Sequence, residues 1–199
     1  TTRGIAYCVP PVFDARYSQL WKDVAHHQRL GVDHVYIYDT VCNNDIMKDV
    51  KGVSNSTYLC MDWVQRVPIW SRGQVWHINE CLHRAYHDGW EWVLAKDIDE
   101  DLRLSQNMTL LKLSKLNFDV ITFGRMYDTK PMCQETPFEC LGSTGRRKWM
   151  ARTKSVRAAN IHHVDRCMSD PCRILNLKSN ESWLRHPLTR SNYAAMPKG

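Results

Sequence analysis

Asp97, Asp99, Glu100 and Asp101 put four carboxylates within five residues, directly behind the apolar run Trp92-Val93-Leu94-Ala95. Charge at the edge of a core is costly unless it is compensated, so a cluster in that place calls for a cation. In extended chain Asp97 and Asp99 project to the same side. Two carboxylates so arranged can hold a hard divalent ion, which in turn takes phosphate oxygens. A solvated acidic turn is the competing reading, because short acidic motifs recur freely. What separates the two is where the rest of the chain brings further polar groups.

The elements that must position the cluster follow from periodicity. Residues 4–9 form a short apolar run stopped by Pro10-Pro11 and read as a buried first strand. Residues 17–30 carry Leu20, Trp21, Val24 and Leu30 near helical spacing, with Gly31 as the stop. A second strand over 32–38 runs into Asp39, followed by a short helix over 45–50 and a third strand over 57–64. A second long helix covers 74–87 with Gly89 behind it, and the strand 92–95 leads into the acidic cluster. This alternation predicts an α/β fold with a mostly parallel central sheet and helices on both faces. Ligands in such sheets bind beyond the carboxyl ends of the strands, where Asp39 and Asp97 both fall.

Past the cluster, a helix is expected over 108–116 with Asn107 or Ser105 as its cap, then a strand over 119–126. Residues 127–147 read as a long loop rich in Pro, Cys, Gly and Thr, a kind of segment often kept for function. A strand over 148–153 and an extended run over 158–164 follow, and the tail from Pro187 is polar. With no repeat, low-complexity tract or linker, residues 1–199 read as one domain.

The chain has 199 residues, 43% hydrophobic and 24% charged, the balance of a globular domain. No apolar stretch approaches the ~20 residues that cross a bilayer. Thr1 is not a natural start, so the expectation is a portion of a longer chain with any membrane anchor outside it. The net charge of +6 suits a phosphate-bearing ligand, whereas the basic residues are scattered and their densest run, Arg146-Arg147-Lys148, is short, which argues against nucleic acid. Eight cysteines are an even number. The spacings Cys167/Cys172 and Cys133/Cys140 both suit short disulfide loops, although sequence does not give connectivity. Together with three N-glycosylation sequons, at Asn55, Asn107 and Asn180, they point to an oxidising compartment such as the Golgi or another secretory lumen.

Several short motifs then fall in a recognisable order. Ala25-His26-His27-Gln28-Arg29-Leu30-Gly31-Val32-Asp33-His34-Val35-Tyr36-Ile37-Tyr38-Asp39 is followed by Gln74 and Asn79-Glu80-Cys81-Leu82-His83-Arg84. Next come Trp90-Glu91-Trp92-Val93-Leu94-Ala95-Lys96-Asp97-Ile98-Asp99-Glu100, then Lys148-Trp149-Met150-Ala151-Arg152, Ile161-His162-His163-Val164 and a late His186. Over roughly residues 25–186 the order resembles the family 92 glycosyltransferases, which include plant galactan synthases; residues 127–147 do not share in it. The resemblance implies a GT-A fold with a Rossmann-like, mostly parallel central sheet. It also implies a UDP-sugar donor carrying a hexose such as galactose, a glycan or polysaccharide acceptor, a divalent metal (Mn2+ or Mg2+) and inversion at the anomeric carbon.

On that basis Asp97, Asp99 and His186 are the candidate metal ligands, an imidazole beside carboxylates suiting Mn2+. Asp39, Arg84, Lys96, Asp97 and Arg185 are the candidate donor-binding residues. Asp39 could instead cap a turn, Lys96 could pair Asp97, and His186 could be a plain tail histidine. Single displacement needs a carboxylate base near the acceptor. Glu139 is the first candidate and Asp128 the second, with Glu135 and Asp165 behind them. His26 and His27, adjacent on a helix, face different sides and cannot share an ion. Two other classes compete: a secreted carbohydrate-binding or structural module without catalysis, and a nucleotidyltransferase. The latter is disfavoured because Cys8-Val9-Pro10-Pro11-Val12 supplies no Gly-rich phosphate loop.

Overall fold

A strand buried on both faces needs apolar side chains at every position, and β1 (Arg3–Val12) has them: Ile5, Tyr7 and Val9 enter one core layer, Ala6 and Cys8 the other. The computed structural model describes residues 3–12, 17–42, 44–51, 55–63, 73–98, 100–127, 147–160, 162–168, 171–177 and 182–186. Beside β1 lie β2 (His34–Asp39) and β4 (Trp90–Ala95), both parallel to it, and β3 (Ser56–Cys60) extends β2 in the same sense. The connecting helices are α1 (Tyr17–Arg29), α2 (Asn44–Lys51) and α3 (Gln74–His87). Gly31 and Gly89, just past α1 and α3, take φ of 101° and 82°, the left-handed stop expected of them.

The second half adds β5 (Asp101–Leu104), α4 (Leu110–Ser114), β6 (Val120–Tyr127) and β7 (Lys148–Arg152). The hairpin strands β8 (Val156–Ala159) and β9 (Val164–Cys167) follow, then β10 (Ile174–Asn176) and β11 (Ser182–His186). Among the described residues the main sheet runs β3-β2-β1-β4-β7-β6-β11-β5, with β10 also along β6. β7 is antiparallel to both β4 and β6, and β5 is antiparallel to β11; the other pairings are parallel. Helices α1 and α4 cover one face through Leu20, Val24, Leu110 and Leu113. The other face is covered by α3 through Ile78, Cys81, Leu82 and Ala85, with Val156 and Ala159 of β8. The mostly parallel sheet with helices on both faces is thus the expected α/β architecture.

The departures are local. The third strand stops at Cys60 instead of running to residue 64, because the chain turns into a short 3-10 segment at Asp62-Trp63. The helix near residue 110 is capped by Thr109, whose hydroxyl accepts from the Lys112 N–H at 3.1 Å, and not by Asn107 or Ser105. The run over 158–164 is broken by a turn at Asn160 into the β8–β9 hairpin. Strands β5, β10 and β11 went unread. Each is short, and each takes its pairing from a distant segment that local periodicity does not report. Disulfides join Cys8–Cys81, Cys42–Cys60 and the expected Cys167–Cys172; Cys133 and Cys140 lie outside the described residues. No described helix is long and apolar enough to cross a membrane.

Candidate active site

The carboxyl ends of β1, β2 and β4 form one rim, and the order β2-β1-β4 makes the gap between β1 and β4 the topological switch point. Asp97 sits two residues past the end of β4 on that rim. It heads a tight turn: the Glu100 N–H donates to the Asp97 carbonyl at 3.1 Å, while the Glu100 carboxylate accepts from the Asp97 N–H at 3.2 Å. Glu100 is therefore buried by the turn it closes. The Asp97 carboxylate, 21% exposed, faces the ammonium of Lys148 at 2.9 Å, and Lys148 also lies 4.0 Å from Glu100. Because β7 runs antiparallel beside β4, its first residue Lys148 arrives at the same rim. A small cleft there is lined by Pro10, Gln74, His77, Lys96, Asp97 and Lys148.

Beneath the rim, on the α1 face, lies a second polar group. Asp23 is on the buried side of α1 and accepts from Lys96 at 2.7 Å and from the Tyr7 hydroxyl at 2.6 Å, with His27 Nδ1 at 3.3 Å. Lys96 also donates to the Asp97 carbonyl at 2.7 Å and sits 5.2 Å from the centre of the Tyr7 ring. Burial pushes the Asp23 carboxyl up, but the charges of Lys96 and His27 and their hydrogen bonds outweigh it and hold it below the usual range. Burial and the Lys96 charge hold the His27 imidazole below its usual range. On the α3 face, buried His77 donates through Nε2 to the Val9 carbonyl at 2.8 Å, and burial brings its pKa down to about 4.

The expected residues are partly brought together. Asp97 and Lys96 are at the rim, but Lys96 is buried and committed to Asp23 and the Asp97 carbonyl. It holds the turn from below; a β4 continuation alternates faces, so Lys96 points opposite to Asp97. Helix α3 presents Gln74 and His77 to the rim, and Arg84 stands seven residues further along, about 10 Å down the axis, paired with Glu80. Asp39 is fully buried at the end of β2; its carboxylate accepts from the Val41 N–H at 2.8 Å and the Tyr58 hydroxyl at 2.7 Å, the turn-capping role. Arg185 pairs in register with Asp101, and His186 follows it opposite Tyr127, so the backbone of β11 reaches the acidic segment. Asp99, Asp128, Glu135 and Glu139 lie outside the described residues. Asp165 is on the β9 hairpin, exposed and 2.7 Å from His163.

Lys148, Asp23, His77 and Glu100 were not singled out as site residues from sequence. A signal existed for Asp23 and His27, which fall at i and i+4 on the apolar face of α1, where charge must have a partner. Asn79, in one of the shared motifs, is structural: its amide donates to the carbonyls of Val75 and Ala159 and accepts from the Ala159 N–H, pinning the hairpin onto α3. The one described group of three possible metal ligands within 4.8 Å is Cys42, Cys60 and Asp62, and its two cysteines are bonded to each other.

A family profile described as Glycosyltransferase family 92 matches residues 3–192. The chain belongs to glycosyltransferase family 92. A rice (Oryza sativa subsp. japonica) protein described as a glycosyltransferase family 92 protein is 30% identical over 136 residues, 67% of this chain. This family 92 chain spans only about a fifth (20%) of that relative's length. Among solved structures it is similar to S. aureus TarS, with a TM-score of 0.55, 14% identity, and 93% of this chain and 60% of that one covered. It is also similar to 4-diphosphocytidyl-2C-methyl-D-erythritol synthase from Anaerococcus prevotii, with a TM-score of 0.51, 12% identity and 88% of both chains covered. At such identities the likeness is one of fold, and it supports the GT-A type of sheet.

Proposed function

We propose that this chain is the catalytic unit of a metal-dependent, inverting glycosyltransferase that moves a hexose from a UDP-sugar to a hydroxyl of a glycan acceptor. The observation that carries the reading is Asp97, fixed at the β1/β4 switch point by the Glu100 turn and by Lys148. Its donor chemistry suits a hard cation: one carboxylate edge meets Lys148, and a carboxylate has lone pairs to spare. Asp97, Asp99 and His186 are the residues that would hold Mn2+ or Mg2+, with Arg185 beside them for phosphate. Such an ion, when bound, neutralises charge on the departing diphosphate.

The chain's own side chains account for the rest. Lys148 brings a second positive charge to the leaving-group side of the cleft, with Lys96 and Asp23 holding the backbone beneath it. A carboxylate, Glu139 first and Asp128 second, accepts the acceptor hydroxyl's proton as the new C–O bond forms on the face opposite the leaving diphosphate. The joined cysteines fit a Golgi or other secretory lumen, the protein being held to a membrane by a segment outside these residues.

The test is hydrolysis and transfer from a panel of UDP-hexoses with Mn2+ or with chelator. The reading expects chelator-sensitive turnover that Asp99→Ala abolishes and Glu139→Gln lowers without weakening UDP binding. Absence of turnover from every donor, with UDP binding intact after Asp97→Asn and Asp99→Asn, would instead identify a non-catalytic module.

A further inference from the structure

We infer that the outer face of α3, starting at the exposed pair Trp63 and Trp76, is the acceptor groove and binds the pyranose rings of a neutral oligosaccharide. The inference rests on the transferase reading above and extends it to a surface of described residues on α3. Trp63 and Trp76 are 40% and 42% exposed, in edge-to-face contact at 5.0 Å. Both are held at the rim by covalently stapled elements. Trp63 lies just past the Cys42–Cys60 disulfide and the Met61 N–H bond to the Asp39 carbonyl. Trp76 is in the first turn of α3, which Cys8–Cys81 and the His77–Val9 hydrogen bond fasten to β1. Two solvent-facing indoles on such a rigid frame are an apolar surface that folding alone does not require.

What lies beside them selects the ligand class. From Trp76 an open cavity of about 510 Å³ follows α3, lined by Glu80, His83, Arg84, His87 and Asp88. That volume is within the range of small-ligand sites. A pyranose carries C–H bonds on one face and hydroxyls around its edge, so an indole face bordered by carboxylate, guanidinium and imidazole groups matches it. From Trp76 to Asp88 the helix axis advances about 18 Å, room for several rings in a row and more than one nucleobase fills. The direction also fits: His77, one residue past Trp76, lines the rim cleft with Asp97 and Lys148, whereas Asp88 is at the far end of α3. A chain lying along this face has one end at the donor site and the rest pointing away from it. The Glu80–Arg84 pair belongs to this groove.

The experiment is calorimetric titration of the 199-residue chain with β-linked gluco- and galacto-oligosaccharides of four to six units, in parallel with UDP. The expected result is oligosaccharide binding that Trp76→Ala and Trp63→Ala each weaken roughly tenfold or more, with UDP affinity unchanged. His83→Ala, at an exposed helical position, keeps the test valid if a tryptophan variant misfolds; a weaker oligosaccharide titration is expected there too. No binding by any oligosaccharide, or binding indifferent to all three substitutions, overturns the groove. Loss of UDP affinity in Trp76→Ala with oligosaccharide binding retained overturns it as well, by making the indoles a nucleoside platform. Failure of UDP to bind at all counts against the donor reading and leaves the oligosaccharide arm to be judged on its own titration.

Discussion

The ammonium of Lys148 stands 2.9 Å from the carboxylate of Asp97, with Lys148 fully buried and Asp97 at the mouth of the cleft. Two residues 51 positions apart meet because an antiparallel strand is inserted beside the last strand of the parallel set. A cation there lets an acidic turn persist at a core edge before any ligand arrives. Lys148→Met leaves Asp97 and Glu100 facing each other without it, and should lower unfolding free energy by about 2–4 kcal/mol. The Asp97→Asn/Lys148→Met double variant should recover part of that loss. Urea denaturation of the four proteins in the cycle measures it, and strict additivity would show that the pair is uncoupled.

Asp23 and Lys96 make a second pair, almost entirely out of solvent, whose cation also grips the Asp97 carbonyl. Asp23→Asn strands Lys96 in the core and should cost about 3 kcal/mol. UDP affinity should fall with it, because the turn loses its support from below. Lys96→Met on top of Asp23→Asn should restore stability more than it restores UDP affinity. Equal recovery of both would mean that the pair serves packing alone.

His77 supplies a pH dependence whose sign can be worked out. Its folded pKa is brought down to about 4, below the ~6.5 of an unfolded histidine. The unfolded chain therefore takes up the proton first. The contribution is fully present above pH ~6.5 and is lost as pH falls toward 4, amounting to roughly 3 kcal/mol across that window. His27, also held down by burial, acts in the same direction. His26 acts in the opposite direction, since its bond to Asp101 raises its pKa. Denaturant titrations at pH 7 and pH 4.5 should show wild type losing more stability than His77→Gln; parallel losses would remove the assignment.

Cys8–Cys81 closes a loop of 73 residues between β1 and α3. On chain-entropy grounds such a link stabilises by about 4 kcal/mol. A Cys8→Ala/Cys81→Ala variant should unfold at correspondingly lower urea concentration. Reduction of wild type with dithiothreitol should reproduce at least that much. Identical midpoints before and after reduction would show that the link closes no loop the unfolded chain is free to open.

The first half of the fold was readable because each of its signals is local. An apolar run of strand length, an apolar helical stripe and a glycine stop repeat from residue 4 to residue 95, and the α/β class follows from their order. Asp97 was readable for the same reason, as charge abutting such a run. The limits came where a side chain's actual partner or facing is not marked by the apolar pattern. Arg84 looks like a free cation in sequence, yet Glu80 one turn earlier already holds it. Lys96 follows a strand just as a ligand contact would, but strand alternation turns it inward toward Asp23. The short strand Ser182–His186 has no pattern of its own and exists through pairing with Asp101–Leu104 and Val120–Tyr127.

That last strand has a bearing on how the molecule comes to be made. It wedges between two segments synthesised some sixty to eighty residues before it, so a chain emerging from the ribosome cannot close this end of the sheet until residues 182–186 are out. Until then β5 has an open edge where the backbone of β11 will pair. The complete sheet should therefore form only once that strand has been made, and not with the earlier β1–β4 half.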